Sequence, residues 1–201
     1  MFYKNNFFKD FNFKSKEFSQ NIKKTKKVFS EFEYDLKNCN IFTLESYKKE
    51  YEFDFSFNLI KKFNKYKEVV LVGMGGSILG TKSIYSFLKN KIKKKIYFFD
   101  NLDDNLYLNQ IKSFKNPCFV VVSKSGDTLE TIVNTGVLYS KKKLRNKLII
   151  ITEINDGVLS NIANKLNADI VEHKNFISGR YSVLSESGML PAALMGLNIK
   201  K

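Results

Sequence analysis

The chain has 201 residues, 43% of them hydrophobic, which suits one cored domain with an extension or two small domains. Its formal charge of +14 comes mainly from short lysine runs spread along the chain, without an RNA-recognition, helix-turn-helix or zinc-finger pattern. We therefore expect solvated lysine faces that attract small anions, and no nucleic-acid partner.

Residues 1–30 are rich in lysine and phenylalanine but have no continuous apolar core or small-residue cleavage site, so they are not a secretory signal. No stretch reaches the ~18 apolar residues of a membrane span. Cys39 and Cys118 are distant in sequence, and His173 is the one histidine. The sequence therefore predicts a cytoplasmic protein with no membrane partner, no disulfide framework and no metal site.

Residues 1–65 contain neither glycine nor proline and are predicted to form a helical amino-terminal extension. We expect at least two helices, broken near Asn38–Asn40. Aromatic and apolar residues recur there at irregular helical spacing, and we interpret them as core packing against the next domain: Phe29, Phe32, Tyr34, Leu36, Tyr47, Tyr51 and Phe53.

Residues 66–201 form the second predicted domain, in which short apolar runs alternate with helical segments. The expected strands are 68–72, 95–99, 118–122, 148–152 and 169–171. The expected helices end near 90, 114, 142, 167 and 197, the last with Pro191 in its first turn. Five alternations predict an α/β fold with a doubly wound, five-stranded parallel sheet of the flavodoxin-like kind. Ligands of such sheets lie at the carboxyl ends of the strands.

Two loops of this domain follow strands and precede helices, where unpaired N–H groups and a partial positive charge favour anions. The first, Gly73-Met74-Gly75-Gly76-Ser77, does not complete the dinucleotide pattern G-x-G-x-x-G, although Asp100 stands where that pattern expects an acid. A tight turn that needs glycine is the alternative explanation. The second, Ser123-Lys124-Ser125-Gly126-Asp127-Thr128, holds three hydroxyls and a lysine, more than helix capping requires. These loops predict a phosphate site.

Arg180 is one of only two arginines among 34 basic residues. Its guanidinium offers paired donors in a fixed planar fork, which a lysine does not. Arg145 lies within a lysine run and is typical of a surface residue, whereas Arg180 is flanked by Ser178-Gly179 and Tyr181-Ser182. We expect Arg180 to have a specific role, with a surface or salt-bridge position as the alternative.

Three segments, in the same order, resemble the glucose-6-phosphate isomerase family. They are the loop at 73–77, the Ser-Lys-Ser-Gly-x-Thr-x-Glu-Thr loop from Ser123, and Gly179-Arg180-Tyr181-Ser182-Val183-Leu184-Ser185 with the Gly-x-Leu-Pro that follows. The first two are common to sugar isomerase (SIS) domains, and the third is more specific. The resemblance covers roughly residues 66–201 and identifies them as the first SIS domain of this family.

The resemblance implies a role for each matching residue. Gly76 and Ser77, supported by Gly75, would contact the sugar phosphate. Arg180, supported by Gly179, would be catalytic and stabilise a cis-enediol(ate) intermediate. Glu130 would organise the pocket, and the phosphate cradle would consist of Ser123, Lys124, Ser125 and Thr128.

The family reaction is the reversible aldose–ketose isomerisation of glucose 6-phosphate and fructose 6-phosphate. It proceeds by ring opening and proton transfer between C1 and C2 without a metal or nucleotide cofactor, and the full-length family forms homodimers. A non-catalytic module that senses phosphosugars is the alternative function. A dinucleotide-binding domain is a weaker one.

The chain departs from the family pattern in three respects. Asp127 stands where threonine is usual, and a carboxylate beside a phosphate is unfavourable unless it points away or caps a helix. Ser178 replaces a common glycine. The second SIS domain, which supplies the glutamate base, the ring-opening histidine and a lysine, is absent from this chain. We therefore expect an incomplete chain with weak binding and poor turnover alone. His173 matches no catalytic position and is interpreted as a loop histidine.

Overall fold

The structure is a computed structural model that describes residues 13–38 and 41–200, without the side chains of residues 104–107. The chain comprises two compact units, Met1–Phe42 and Thr43–Lys201. Cys39 and Asn40 lie outside the described residues. Within the described ranges, no helix is long and apolar enough to cross a membrane.

The first unit contains one long helix, α1 (Lys16–Lys37). Ser15 begins it, because its Oγ accepts a hydrogen bond from Phe18 N at 3.1 Å and satisfies an otherwise unpaired donor of the first turn. None of the side chains of α1 is buried, and Phe29 and Tyr34 are 58% and 65% exposed. The packing of these α1 aromatic residues against the next domain stays a prediction. The described part of this unit has no second helix or strand that could cover them.

The second unit contains five parallel strands in the order β2-β1-β3-β4-β5. They are β1 (Glu68–Gly73), β2 (Lys95–Phe99), β3 (Pro117–Val122), β4 (Leu148–Thr152) and β5 (Asp169–Glu172). The helices are α2 (Phe57–Asn64), α3 (Gly76–Leu88), α4 (Asp104–Ser113), α5 (Leu129–Lys141), α6 (Val158–Leu166) and α7 (Glu186–Leu194). Short 3-10 helices cover Phe42–Tyr47, Lys89–Lys91 and Gly179–Leu184. The predicted doubly wound parallel sheet is confirmed.

Helices cover both faces of this sheet, because successive strand side chains point to opposite sides and most of them are apolar. One core contains the strand residues Val70, Val72, Phe119, Val121 and Ile150 with residues of α5 and α6. The other contains Val69, Leu71, Val120, Val122 and Ile151 with residues of α2, α3 and α7. The sheet is thus a rigid base for the loops at its carboxyl edge.

Helix α7 starts at Glu186, so Pro191 lies inside it and not in its first turn as predicted. Proline has no N–H, and the carbonyl of Ser187, four residues earlier, therefore loses its helical donor. Thr81 in α3 replaces that donor: its Oγ1 donates to the Ser187 carbonyl at 3.0 Å, in a position where Thr81 is 2% exposed. A neighbouring helix makes the interior proline tolerable, which the local sequence does not show.

Candidate functional site

The loops after β1 and β3 lie side by side at the carboxyl edge of the sheet. The two strands are hydrogen-bonded neighbours, with Gly73 paired to Val122 at their ends. The chain passes from β1 outwards to β2 and then returns to β3 on the other side of β1. This reversal of strand order is the switch point at which open α/β sheets bind ligands.

The first loop leads directly into α3. Gly75 occupies the N-cap position with φ +51°, and no side chain caps the helix. The positive end of α3 therefore faces the loop without a protein side chain to satisfy it. Ser77 lies in the first turn of α3 and is partly buried. Within the described part of the chain its hydroxyl has no hydrogen-bond partner, so it is available to a ligand.

The 3-10 helix Gly179–Leu184 packs directly on the start of α3. A Cβ atom at Gly76 would overlap the carbonyl group of Gly179. Ser182 Oγ donates to the Gly179 carbonyl at 2.9 Å and lies 3.5 Å from the Gly76 carbonyl oxygen. The absence of a side chain at Gly76 thus brings the segment that carries Arg180 against the first loop.

Arg180 is exposed, and no described residue forms a hydrogen bond or salt bridge with its guanidinium. The backbone around it is nevertheless fixed. Ser178 N donates to Thr43 Oγ1 at 3.0 Å, and Tyr181 N donates to the Ser178 carbonyl at 2.9 Å. The backbone of Arg180 is anchored and its guanidinium is unpaired among the described residues. This arrangement favours an arginine that binds an anionic ligand over one that forms a structural salt bridge.

The second loop connects β3 to α5. The hydroxyls of Ser123 and Thr128 lie 2.9 Å apart and pair across the loop, and Ser123 is only 2% exposed. Ser125 is exposed, and its Oγ accepts from Asp127 N at 3.3 Å. No side chain caps α5, so its positive end also faces the loop. The structure thus places the three predicted hydroxyls around one turn.

The loop between β4 and α6 holds this second loop in place. Glu153 N donates to the Lys124 carbonyl at 2.9 Å, and Leu159 N donates to the Gly126 carbonyl at 3.2 Å. Asn155 Nδ2 donates to the Ser125 carbonyl at 3.2 Å. Sequence reasoning missed Asn155, although the Asn-Asp-Gly sequence from this residue signals a turn whose asparagine bonds to nearby backbone.

Asp127 caps a helix, which is one of the two arrangements that make a carboxylate tolerable beside a phosphate site. Its Oδ1 accepts from Val158 N, the first residue of α6, at 3.0 Å. The helix lacks a capping side chain at its own N-cap residue, Gly157. The carboxylate therefore interacts with the positive end of α6.

Lys124 and Glu130 are less clearly part of a cradle. The ammonium of Lys124 donates to the Asn175 carbonyl at 2.5 Å and lies 3.6 Å from Glu153 Oε1. It thus connects the loops that follow β4 and β5. Glu130 lies in the first turn of α5 and is partly buried, without a hydrogen-bond partner among the described residues. Both assignments stay predictions.

Two buried polar side chains lie near these loops. His173, directly after β5, is 1% exposed, and its Nε2 has no partner within the described ranges. Burial lowers the pKa of His173. Glu186 is fully buried; it accepts from the Tyr51 hydroxyl at 2.7 Å and from Asp54 N at 3.1 Å. These bonds connect the Glu186 carboxylate to Tyr51 and Asp54.

Comparison with known proteins identifies the family. The family model described as phosphoglucose isomerase matches residues 59–199, which is more than half of the chain. The chain belongs to the phosphoglucose isomerase family. The resemblance of the three loop segments to this family is thereby confirmed.

Two relatives illustrate the relationship. The glucose-6-phosphate isomerase of Methanocaldococcus jannaschii is 36% identical to this chain over 155 residues. The aligned part covers 74% of this chain and 38% of the relative. That of Mycoplasmoides gallisepticum is 34% identical over 157 residues, 72% of this chain and 37% of the relative. The chain thus spans less than two thirds of the length of these relatives.

A crystal structure of a glucose-6-phosphate isomerase from Chlamydia trachomatis shares the fold. Its TM-score is 0.61 at 24% identity, and the match covers 68% of this chain and 28% of that chain. At this identity the likeness supports the phosphoglucose isomerase fold alone. The residue roles stay predictions.

Proposed function

We propose that this chain binds the phosphate of glucose 6-phosphate and fructose 6-phosphate and stabilises the intermediate of their interconversion. The observation that carries the proposal is the contact between Gly76 and Gly179. It joins the loop expected to hold the phosphate to the segment that carries the one arginine in the site. Family membership supports the choice of substrate.

Phosphate binding is assigned to the adjacent starts of α3 and α5. Each helix presents an uncapped positive end to its loop. Ser77, Ser125 and Thr128 would add hydroxyl donors, and Ser123 orients Thr128 through their 2.9 Å contact. A phosphate anchored in this way supplies binding energy that orients the reacting end of the sugar.

Arg180 is assigned to the negative charge that develops on the sugar oxygens. Moving a proton between C1 and C2 produces an enediolate, in which the charge is greater than in the open-chain sugar. A fixed guanidinium aimed at those oxygens therefore stabilises the transition state more than the ground state. Its planar fork suits two oxygens on neighbouring carbons.

The proton transfer also needs a positioned base. The acid nearest to Arg180 in sequence is Glu186, and its carboxylate is already bonded to Tyr51 and Asp54. We therefore propose that the base comes from polypeptide outside this chain, and that the 201-residue chain alone binds sugar phosphates without efficient turnover.

The test is to titrate the purified chain with fructose 6-phosphate by calorimetry and to measure isomerisation in a coupled assay. We expect saturable binding that Ser125→Asp abolishes, because a carboxylate in the turn repels the phosphate. The exposed Ser140→Asp at the end of α5 is the matched control and should bind normally. Absence of binding to the folded chain would refute the proposal. Efficient isomerisation would refute the external base.

A binding-only phosphosugar sensor is the second candidate, favoured by the engagement of Glu186. The substitution Arg180→Lys distinguishes an isomerase from a sensor when the remaining polypeptide of a phosphoglucose isomerase is added to the chain. An isomerase should lose most of its kcat and retain its affinity, because lysine keeps the charge but not the fork. A sensor should show no turnover before or after the change.

A further inference from the structure

A second concave surface lies at the opposite edge of the sheet, where β1, β2 and β3 begin. It encloses about 460 Å³. Five lysines line it, and we call it the basic pocket: Lys65, Lys67, Lys93, Lys95 and Lys115. Because the sheet is parallel, the basic pocket is at the far end of the strands from the loops that follow β1 and β3.

The positive charge of the basic pocket exceeds the charge of the one carboxylate in its lining. All five lysines are exposed, and none forms a salt bridge with a described residue. The one acid in the lining, Glu68, is 5% exposed, and its Oε2 accepts from the N–H groups of Lys115 at 2.8 Å and Asn116 at 3.0 Å. The carboxylate of Glu68 thus holds the backbone of the turn before β3. Five ammonium groups on one concave surface repel one another, and a multivalent anion would relieve that repulsion.

The backbone beneath these lysines is fixed before any ligand arrives. Glu68 pairs with Lys95 in the sheet, and Lys95 N donates to the Lys67 carbonyl at 3.0 Å. Glu68 also holds the turn before β3 through its two bonds to backbone. Lys95 begins β2, and the other four lysines lie in the short segments before β1, β2 and β3, so the anchored backbone lowers the cost of ordering them on binding.

One more cation, Lys147, lies at the rim of the basic pocket. Lys147 Nζ donates to Asn116 Oδ1 at 2.9 Å and also lies 5.8 Å from the centre of the Tyr66 ring. Lys65 Nζ is 5.3 Å from the centre of the same ring. Tyr66, which is 4% exposed, therefore helps to keep two ammonium groups on this side of the pocket.

We infer that the basic pocket binds a small anion with adjacent phosphate groups. Its volume lies in the range of about 300–1,000 Å³ that is typical of small-molecule sites. A compact concave surface suits a short polyphosphate or the polyphosphate part of a small molecule, whereas an extended nucleic acid needs a groove or a stripe of cations. The site is separate from the phosphosugar loops, so both can be occupied at once.

The experiment uses inorganic tripolyphosphate as the probe, with the amide resonances of the whole chain followed by NMR. We expect saturable binding, with shifts at Lys67, Lys95 and Asn116 that persist when fructose 6-phosphate saturates the 123–128 loop. The double substitution Lys67→Gln/Lys95→Gln should weaken binding by about tenfold or more, the equivalent of about 1.4 kcal/mol. The matched control, Lys23→Gln/Lys26→Gln on α1, removes the same charge from a helix with no buried residue and should change the affinity by less than about twofold.

Three outcomes would overturn the proposal. Equal weakening by both double substitutions would show diffuse attraction to a lysine-rich chain. Shifts confined to the 123–128 loop would place tripolyphosphate in the phosphosugar site. Tighter binding of a single-stranded RNA oligonucleotide, with shifts at the same amides of the basic pocket, would identify a nucleic-acid surface in its place. Thermal unfolding of each variant checks that the substitutions leave the fold intact.

Discussion

Gly76 controls how closely two parts of the candidate site approach one another. Its backbone contacts that of Gly179, and Ser182 bonds to the second of these residues while touching the first. Arg180 follows immediately, so its position depends on a residue that has no side chain. The hydroxyls of the two loops are candidate hydrogen-bond donors to a phosphate, whereas the contact between Gly76 and Gly179 sets the position of Arg180 relative to the first loop.

The substitution Gly76→Ala should therefore be destabilising and should displace Arg180. Its Cβ would overlap the Gly179 carbonyl, and overpacking of this kind costs about 1–3 kcal/mol. Urea unfolding measures the loss. The matched control is Gly136→Ala in the middle of α5, where a Cβ meets nothing within 4 Å. There alanine should stabilise the protein by about 0.5–1 kcal/mol through helix propensity. Equal effects at both sites would contradict the proposed contact.

His173 makes a second residue-scale prediction, because burial lowers its pKa. Lys124 also disfavours the charged form, while the Lys174 carbonyl, Glu186 and Glu153 favour it. The unfolded chain thus binds the proton more tightly than the folded chain. The contribution of His173 to stability is complete above about pH 6.5 and is lost as the pH falls towards the folded-state pKa, at no more than about 1.4 kcal/mol per pH unit.

Comparing the free energy of unfolding of the unmodified chain and of His173→Leu between about pH 5 and pH 8 isolates this effect. We expect the difference between the two proteins to change below about pH 6.5 and to be constant above it. Parallel pH profiles would show that His173 does not titrate on unfolding. Leucine is apolar and of similar size, so it fills the space without adding a buried polar group.

At the scale of elements, the strands could be predicted from the sequence, whereas the contacts between distant segments could not. The strands β1, β3 and β4 are short apolar runs because both of their faces are buried, and that property is visible in sequence. The interior position of Pro191 in α7 was not visible in sequence. It depends on Thr81, which lies more than 100 residues away and supplies the hydrogen-bond donor that proline lacks. The same applies to Asp127 and Asn155, which join the loops after β3 and β4. Contacts between distant segments leave no local periodicity.

Thr81→Val tests how α7 accommodates its proline. Valine keeps the shape of threonine but leaves the Ser187 carbonyl unpaired and buried, which should cost about 1–3 kcal/mol in the free energy of unfolding. Ser83→Ala on the same helix is the control, because the exposed Ser83 hydroxyl bonds only to the Leu79 carbonyl of its own helix. That change should stay within about 0.5 kcal/mol. A Thr81→Val protein as stable as the control would contradict the role of Thr81.

The whole molecule combines a candidate site at the carboxyl edge of its sheet with a formal charge of +14. The three loop segments lie within the part of the chain that matches the family, and the candidate site lies where the strand order reverses. The chain has a formal charge of +14, and five of its lysines line the basic pocket. Self-repulsion of this size opposes the compact state.

Salt should therefore stabilise this protein, and multivalent anions should do so more strongly. Raising NaCl from about 10 to about 200 mM shortens the screening length and should raise Tm. At equal ionic strength, tripolyphosphate should raise Tm further, because a ligand that binds only the folded state adds its own binding free energy. Differential scanning calorimetry measures both effects. The additional rise should disappear in Lys67→Gln/Lys95→Gln and persist in the α1 control. A Tm that depends on ionic strength alone would show that screening accounts for the whole effect.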